Sequence, residues 1–306
     1  MTNLKYLDNL NKSQKEAVLY ISGPLLIVAG AGSGKTRVLT SRIAHILNEN
    51  KAFPNQILSV TFTNKAAREM QNRVSKILNN QEVGLPWLGT FHSICAKILR
   101  RHAKAVNLNQ NFTIIDQDDQ LRLIKSICNA ENIDIKKISP NFIISLINKW
   151  KNFGWYPENV VLRKSENLEK NLLKIYKIYQ TKLTDLNACD FGDLILHCVS
   201  IFEKNQDINE MYSKNFKYIL VDEYQDTNFI QSKWLKLLTK NHDNICCVGD
   251  DDQSIYSWRG AEIKNFLEFD KVYKNTKVIR LEQNYRSSQN ILSVASNLIS
   301  YNQNRV

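Results

Sequence analysis

Residues 29–36, AGAGSGKT, have the composition of a loop that binds phosphate groups. They follow the apolar run LLIVA and should connect a buried strand to the start of a helix. Backbone N–H groups in such a turn point at one place and can hold phosphate oxygens. Lys35 would add a positive charge at the β- and γ-phosphates, and the Thr36 hydroxyl could bind Mg²⁺. The candidate ligand-binding residues of the loop are Ala31, Gly32, Ser33, Gly34, Lys35 and Thr36.

The loop departs from the common pattern at its first position, where Ala29 stands in place of glycine. Many such loops tolerate alanine there. A glycine-rich turn between a strand and a helix, without any ligand, is the alternative interpretation. The closely spaced glycines followed by Lys35 and Thr36 favour the phosphate-binding one.

Two acidic residues follow another apolar run, in the segment LVDEYQDTN at positions 220–228. At the carboxyl edge of the same sheet, Asp222 would face the Mg²⁺ shell, and Glu223 could orient and deprotonate an attacking water. Two acids after a strand are by themselves more often a solvated strand end. Together with the phosphate loop they predict phosphoryl transfer, which needs positioning, a metal ion and a water activator.

An α/β sheet is needed to bring these two segments together. Apolar runs predict strands at 25–29, 57–62, 218–223 and 245–250, with a last strand in VIRLEQN (278–284) and a possible one at 112–116. Helical stretches alternate with these strands, which indicates a parallel sheet covered on both faces. Residues from about 118 to 187 are helical in pattern and predict an insertion between two halves of the sheet.

Chain length indicates the number of domains, and net charge indicates the kind of partner to expect. A chain of 306 residues suggests two or three domains. Lys and Arg number 41 and Asp and Glu 30, which gives a formal net charge of +11. This excess favours a polyanionic partner such as nucleic acid, although a solubilising basic surface is the alternative.

Cellular location is predicted from apolar runs and cysteines. No apolar run approaches the roughly 18 residues of a membrane span, and no secretory signal is visible, so we expect a cytoplasmic protein without a membrane partner. The six cysteines form no CxxC pair, and several lie in apolar stretches. They are predicted to be reduced core thiols.

Eight motifs in order along the chain resemble those of the UvrD-like DNA helicases, the UvrD/PcrA/Rep group of superfamily 1. The motifs are LNKSQKEAV, AGAGSGKT, TFTNKAAREM (61–70), GTFHS (89–93), DFGDL (190–194), VDEYQDTN, VGDDDQSIYSWRGA (248–261) and LEQNYRS (281–287). The resemblance implies a RecA-like P-loop NTPase core with an inserted all-helical subdomain. It also implies an ATP-dependent translocase that moves 3′ to 5′ on single-stranded DNA and unwinds duplex in repair or replication.

The resemblance assigns further residues to the ATP site. Gln14 looks like the glutamine that recognises adenine, with a helix-capping role as the alternative, and Arg37 would lie near the nucleotide. Tyr285 resembles the aromatic residue that stacks on adenine, and Gln253 resembles the γ-phosphate sensor. Arg286 matches an arginine that contacts the γ-phosphate. The candidate catalytic residues are Lys35, Asp222, Glu223, Gln253 and Arg286, and Thr36 and Asp222 would hold Mg²⁺.

Single-stranded DNA is bound by aromatic stacking together with polar and basic contacts to the backbone. By resemblance, the candidate DNA contacts are Phe62, Thr63, Asn64, His92, Phe191, Tyr256, Trp258 and Arg259, with Thr61 as a further polar contact. Core packing is the alternative for any single aromatic residue. The segment around Trp258 is too polar for a core strand, which favours stacking there.

The helical insertion resembles the accessory domain that lies over duplex DNA. Lys149 and Lys151, together with Trp150 and Trp155, could contact phosphates or bases there. A solvated helical face with tryptophans in the core is the alternative, and we favour it.

The expected domain order is a RecA-like core in two halves, 1–115 and 189–279, with the helical insertion at 116–188 between them. Residues 280–306 would then begin a truncated second core domain, so that the apolar face of NILSVASNLISY (290–301) lacks its sheet. On this basis the expected partners are single-stranded DNA, junctions of single and double strands, and a C-terminal motor half. The alternative function is an ATP- and DNA-binding module with little turnover of its own.

Overall fold

The computed structural model describes residues 5–78, 83–161 and 167–301. Within these residues the strands are β1 (Leu25–Ala29), β2 (Ile57–Thr61), β3 (Leu88–Thr90), β4 (Thr113–Ile114), β5 (Ala188–Cys189), β6 (Tyr218–Val221), β7 (Ile245–Gly249) and β8 (Lys277–Leu281). The helices before β5 are α1 (Lys5–Asp8), α2 (Lys12–Leu19), α3 (Lys35–Asn48), α4 (Asn64–Ile77), α5 (Phe91–His102), α6 (Gln117–Ala130), α7 (Pro140–Asn152) and α8 (Asn167–Asp185). Those after it are α9 (Phe191–Lys204), α10 (Gln206–Asn215), α11 (Phe229–Leu238), α12 (Lys264–Leu267), α13 (Phe269–Val272) and α14 (Gln289–Ile299).

Six strands form one sheet in the order β3-β2-β6-β7-β1-β8, and every neighbouring pair is parallel. The inner strands β2, β6 and β7 are buried along their whole length, as expected for a parallel sheet covered on both faces. The predicted α/β fold with a parallel sheet is therefore confirmed.

The strand order determines which loops meet at the carboxyl edge of the sheet. β7 lies between β1 and β6, so the segments that follow these three strands are neighbours. They are the phosphate loop after β1, the acidic segment after β6 and the segment beginning at Asp250 after β7. Ligands of open parallel sheets bind at this edge.

The chain forms two compact units. The first unit consists of the described residues of Met1–Phe91, Asn209–Thr227 and Leu235–Val306, and it contains the six-stranded sheet. Its core brings α2, α3 and α4 against the sheet through residues such as Val18, Leu39 and Met70, which are fully buried.

The second unit consists of His92–Ile208 and Asn228–Trp234. It is mainly helical, with only the short parallel pair β4–β5 among its described residues. Its core contains Ile124, Ile147 and Ile175 from three helices, and Trp150 stacks on Tyr176 with ring centroids 5.5 Å apart. The residues predicted to form a helical insertion lie within this unit, which also takes in α5 from His92 onward and α9. The division at 115 and 188 stays a prediction.

β8 is an integral strand of the six-stranded sheet, paired with β1 along its whole length. The predicted boundary at 280 therefore falls inside a strand of the first sheet. The α14 helix that follows has no buried residue, and its apolar side chains Ile291, Val294 and Leu298 are exposed. Among the described residues, α14 therefore presents an apolar face that nothing covers, and its assignment to a truncated second core domain stays a prediction.

The cysteines agree with the prediction from sequence, since all six are free and buried. In the part of the chain that the structure describes, no helix is both long and apolar enough to cross a bilayer.

Candidate nucleotide and nucleic-acid site

The phosphate loop is a tight turn between β1 and α3. The Ser33 N–H and hydroxyl both donate to the Gly30 carbonyl, at 3.2 and 2.7 Å. Gly32 and Gly34 adopt left-handed φ values of +75° and +93°. A Cβ on Gly34 would lie 2.7 Å from Gln14 Nε2, so the position accepts only glycine without a shift of that side chain.

Lys35 is the first residue of α3, and its ammonium group is buried beside Glu223. Its Nζ lies 3.0 Å from Glu223 Oε2, and the Lys35 side chain is 10% exposed. The contact is an ion pair without hydrogen-bond geometry, so the buried Nζ makes no hydrogen bond within the described residues. A buried ammonium group with unused donors is a suitable partner for a further anion.

Asp222 and Glu223 follow β6 directly. Asp222 is 6% exposed, and burial together with the neighbouring Glu223 charge raises its pKa to about 7, although Lys35 opposes the shift. Glu223 adopts a left-handed conformation with φ +49°, which costs a residue with a side chain roughly 1–2 kcal/mol. Such strain at a strand end is typical of functional positions, where the surrounding contacts hold the residue in place.

Gln225 connects the acidic segment to the end of β7. Its Nε2 donates to Glu223 Oε2 at 3.0 Å, and its Oε1 accepts from the Asp250 N–H at 3.1 Å. A Cβ on Gly249 would lie 2.5 Å from Gln225 Oε1, so this glycine leaves the space that the amide needs. The sequence analysis did not select Gln225, although it lies within the same acidic motif.

Asp226 and Asp250 add two more acids at this edge. Burial and the Glu223 charge raise the pKa of Asp226 to about 6, and its buried Oδ1 has no hydrogen-bond partner among the described residues. Burial also raises the pKa of Asp250, whose Oδ2 accepts a short hydrogen bond from Gln253 Nε2. The Lys35 charge opposes the raised pKa values of Asp222, Asp226 and Asp250, so several acids share this edge of the sheet with one buried ammonium group. Among the described residues they do not form a ready-made cluster of three or more ligands for a metal ion.

Gln14 is fully buried and lies against the phosphate loop. Its Nε2 donates to the Ser33 carbonyl at 2.9 Å, and its Oε1 accepts from the Asn11 N–H at 3.1 Å. The Asn11 side chain accepts from the Gln14 N–H in return, which makes a capping box at the start of α2. Gln14 therefore has the helix-capping role that was considered as the alternative. Its side-chain amide also donates a hydrogen bond to the phosphate loop.

The segment after β8 packs against the same loop. The Tyr285 N–H donates to the Gly32 carbonyl at 2.9 Å, and the Asn284 side chain donates to the Ala31 carbonyl. A Cβ on Gly32 would lie 2.6 Å from Arg286 Cβ, which shows how closely the segment approaches. Asn284 was missed from sequence, although asparagine's ability to bind neighbouring backbone groups in turns was the available signal.

Most of the other residues predicted to bind the nucleotide are exposed at the protein surface. The Tyr285 ring is 53% exposed, and its hydroxyl accepts from Asn11 Nδ2 at 2.9 Å. Thr36 is half-buried in the first turn of α3, whereas Ala31, Arg37 and Arg286 are exposed. All the predicted ATP-site residues therefore lie in the first unit.

Seven of the predicted DNA contacts, counting Thr61, also lie in the first unit. Trp258 is 73% exposed, and the Arg259 guanidinium lies 4.7 Å from the Trp258 ring centroid and 5.2 Å from that of Tyr256. This exposed aromatic and basic cluster can stack on bases. Phe62 instead packs edge-on against Phe91, with ring centroids 6.2 Å apart.

Thr63 and Asn64 begin α4, next to Thr61. The Thr63 hydroxyl caps the helix by accepting from the Ala66 N–H at 3.1 Å, and Asn64 is exposed. Thr61 is buried, and its hydroxyl donates to the Thr63 carbonyl at 3.1 Å. A structural role for both hydroxyls is therefore present. Thr63 and Asn64 are exposed, whereas Thr61 is buried.

The other two predicted DNA contacts lie in the second unit. The His92 ring meets Phe191 edge-on, with centroids 5.8 Å apart, and Phe191 is 54% exposed. Burial lowers the pKa of His92, although the Asp190 charge opposes this shift. A neutral imidazole beside an exposed aromatic ring suits a contact with a base or sugar better than a charged contact with phosphate.

Lys151 is a correction to the sequence analysis, because it is neither a DNA contact nor part of a solvated face. It is fully buried, and its Nζ lies 2.6 Å from Asp190 Oδ2 and 2.7 Å from Asp193 Oδ1. Tyr179 donates to Asp190 at 2.9 Å, and Gln180 donates to Asp193 at 3.0 Å. Of the four residues considered, Trp150 is in the core as favoured, while Lys149 and Trp155 are exposed.

His197 extends this buried network and predicts a pH dependence of stability. Burial, reinforced by Lys151, lowers its pKa to about 3, while Tyr156 Oη lies 2.6 Å from Nδ1 and Asp193 Oδ1 lies 4.0 Å from Nε2. Between pH 6.5 and about 3 the unfolded chain therefore binds a proton that the folded chain does not. From pH 7 to pH 5 this residue should lower the free energy of unfolding by about 2 kcal/mol.

The measurement is urea unfolding at pH 5, 6 and 7 for the wild type and His197→Asn. The other titratable groups, including Asp190 and Lys151, are present in both proteins, so their contributions largely cancel. The wild type should lose more stability than the variant as the pH falls. Equal losses in the two proteins would show that His197 is not held neutral.

Comparison with known proteins gives consistent similarities. Residues 10–274 match the family described as the UvrD/REP helicase N-terminal domain. A probable DNA helicase II homolog from Rickettsia conorii is 48% identical over 308 residues, covering 100% of this chain and 47% of that protein. The ATP-dependent DNA helicase PcrA of Staphylococcus epidermidis is 48% identical over 297 residues, covering 97% of this chain and 41% of that protein. The chain thus spans less than half the length of these relatives.

Proposed function

Since the chain belongs to the UvrD/REP helicase family, we propose that it supplies the ATP-binding part of a helicase that moves 3′ to 5′ on single-stranded DNA. The observation that carries the proposal is the buried Lys35 ammonium group, which lies beside Glu223 at the end of a glycine loop and makes no hydrogen bond within the described residues. A terminal phosphate of ATP would supply the partner that this group lacks. Asp222, at the same edge of the sheet, would be an acidic ligand of the metal ion that accompanies ATP.

The donor set fits ATP with Mg²⁺. The Thr36 hydroxyl and the Asp222 carboxylate would hold the ion, and the raised pKa of Asp222 reflects a buried acid without sufficient positive charge nearby. When bound, Mg²⁺ neutralises charge on the β- and γ-phosphate oxygens. N–H groups of the loop and of the first turn of α3, which begins at Lys35, would bind the phosphates.

Glu223 is the residue best suited to activate water. Its Oε2 is engaged by Lys35 and by Gln225 Nε2, whereas no hydrogen bond within the described residues engages Oε1. That oxygen would orient the attacking water and accept its proton. The left-handed backbone at Glu223 and the Gln225 contact hold the carboxylate in one position.

The remaining roles are proposed from the family's motifs. Gln14 would recognise adenine, Tyr285 would stack on it, and Arg37 would lie near it. Gln253 would sense the γ-phosphate through its hydrogen bond to Asp250, and Arg286 would contact the γ-phosphate. The contacts of Tyr285 and Arg286 with the loop support both assignments.

For DNA, we propose that bases stack on Tyr256 and Trp258, with Arg259 beside them, in the first unit. Phe62, Thr63 and Asn64 would contribute further contacts in that unit. His92 and Phe191 would contact DNA in the second unit. The net charge of +11 supports a nucleic-acid partner.

The DNA proposal predicts a specific loss in Trp258→Ala. Removing an exposed stacking ring should weaken binding of a dT oligonucleotide by about 1–3 kcal/mol, roughly 5- to 150-fold, while ATP binding stays within about twofold. Fluorescence anisotropy with a labelled oligonucleotide measures the first effect, and Trp258→Phe should restore most of the affinity. Phe53→Ala is the matched control, because Phe53 is 71% exposed in the same unit. Equal losses in Trp258→Ala and Phe53→Ala would contradict stacking on Trp258.

A second candidate function is an ATP- and DNA-binding module with little turnover, since the chain spans 47% and 41% of the lengths of the two relatives described above. Phosphate release measured with and without single-stranded DNA distinguishes the two. Stimulation by DNA supports the ATPase, and binding of both ligands without release supports the module. In either case we propose a cytoplasmic protein that acts on junctions of single and double strands together with a C-terminal motor half.

A further inference from the structure

Arg42 is a buried positive charge in the helix that follows the phosphate loop. It lies on α3, its side chain is 2% exposed, and it forms no ion pair within the described residues. Its Nη1 donates to the Ala17 carbonyl at 2.8 Å and to the Tyr20 carbonyl. Both acceptors belong to the C-terminal end of α2.

An unpaired buried guanidinium group is costly, and here the end of a helix compensates for it. The last carbonyl groups of a helix lack partners within the helix and carry partial negative charge. Arg42 satisfies two of them, and they in turn stabilise its charge. Removing the side chain would leave these two acceptors without the partner that Arg42 provides, which destabilises the end of α2.

The other end of α2 is bound to the phosphate loop itself. Gln14 Nε2 donates to the Ser33 carbonyl at 2.9 Å, and the Asn11 capping box fixes the first turn. A helix of eight residues is therefore held at both ends by one continuous segment, 33–42. Gln14 and Ala17 lie on the same face of α2, one turn apart, so the Arg42 contact acts on the turn that carries Gln14.

We propose that Arg42 is a positioning residue for base recognition, because it fixes α2 so that the Gln14 amide stays at the nucleotide site. This inference rests on the proposed function, in which Gln14 recognises adenine. Lys35 has a further contact with Glu223, and the loop is continuous with β1, so neither is held by α2 alone. Loss of Arg42 should therefore affect recognition of the base more than binding of the triphosphate.

The experiment compares the binding of non-hydrolysable ATP and GTP analogues, with Mg²⁺, to the whole chain. Gln14→Ala should lower the preference for ATP over GTP by about tenfold, the loss expected for one hydrogen-bonded base contact. Arg42→Met should lower it by at least about threefold, and Arg42→Lys by about twofold, because lysine keeps the charge but not the forked donor. If Arg42 acts through Gln14, the double variant Gln14→Ala/Arg42→Met should have the same preference as Gln14→Ala alone.

Val74→Ala is the matched control, since Val74 is fully buried in α4 of the same core and its loss should lower stability without changing the preference. Thermal unfolding verifies that each variant is folded, and Arg42→Lys decides the question if Arg42→Met does not fold. A wild-type preference in the folded Arg42 variants, or equal weakening for both nucleotides, would overturn the inference. A wild-type preference in Gln14→Ala would instead remove the proposed base contact, and the inference with it.

Discussion

Lys35→Ala should weaken binding of Mg²⁺–ATP by about 30- to 5,000-fold, the effect of about 2–5 kcal/mol expected when one partner of a buried charge pair is removed. The Lys35 side chain is 10% exposed, and its Nζ makes no hydrogen bond to any part of the chain that the structure describes, so the triphosphate would be its main hydrogen-bonding partner. Without the Lys35 ammonium group, the Glu223 and Asp222 carboxylates would lie close to the phosphates with no lysine charge between them. Their repulsion of the phosphates would weaken binding further. Displacement of a fluorescent ATP analogue measures the loss.

The control for this variant is Lys51→Ala, which removes an exposed lysine of the same unit. It should bind the nucleotide as the wild type does. A Lys35→Ala protein that is folded and binds Mg²⁺–ATP within about threefold of the wild type would contradict the role of the loop, because that is far less than a buried charge contact contributes.

Glu223→Gln should slow ATP turnover by about 100- to 10,000-fold, the usual contribution of a general base. The substitution keeps the shape of the side chain, and Gln225 can still donate to its oxygen. It removes the ability to accept a proton from water. Nucleotide binding should stay within a few-fold of the wild type, because the repulsion between the carboxylate and the γ-phosphate also disappears.

Single-turnover phosphate release in the presence of single-stranded DNA tests this prediction, with binding measured separately. Glu69→Gln is a suitable control, since Glu69 forms an exposed ion pair with Arg73 on α4. Rapid phosphate release by Glu223→Gln would assign water activation to another group, and Asp226, with its raised pKa of about 6, would be the next to test.

Local patterns predicted much of the core fold. The apolar runs before Gly30, Asp222 and Asp250 are strands because each is short, continuous and bounded by polar residues, as buried parallel strands are. The phosphate loop and Glu223 could be found from sequence because few other kinds of site contain these residue types in this order. It could also be predicted that the loop and Glu223 lie close together, because the carboxyl ends of parallel strands lie at one edge of the sheet.

Contacts between distant residues could not be predicted in the same way. Lys151 looks like a surface lysine in an amphipathic stretch, and only the fold shows that it lies between Asp190 and Asp193. Gln225 and Asn284 act through hydrogen bonds to segments that are remote in sequence. The pairing of β8 with β1 likewise depends on the whole sheet, which is why the boundary at 280 fell inside a strand.

In the proposed function, ATP and its metal ion lie between the loop carrying Lys35 and the acids at 222 and 223. The most direct measurement replaces Mg²⁺ with Fe²⁺ in the ATP complex and maps the backbone cuts that hydroxyl radicals make near the metal. We predict cuts within 33–37 and 221–226 that require ATP and disappear in Asp222→Asn. Cuts in other segments, or the same cuts without ATP, would contradict the claim.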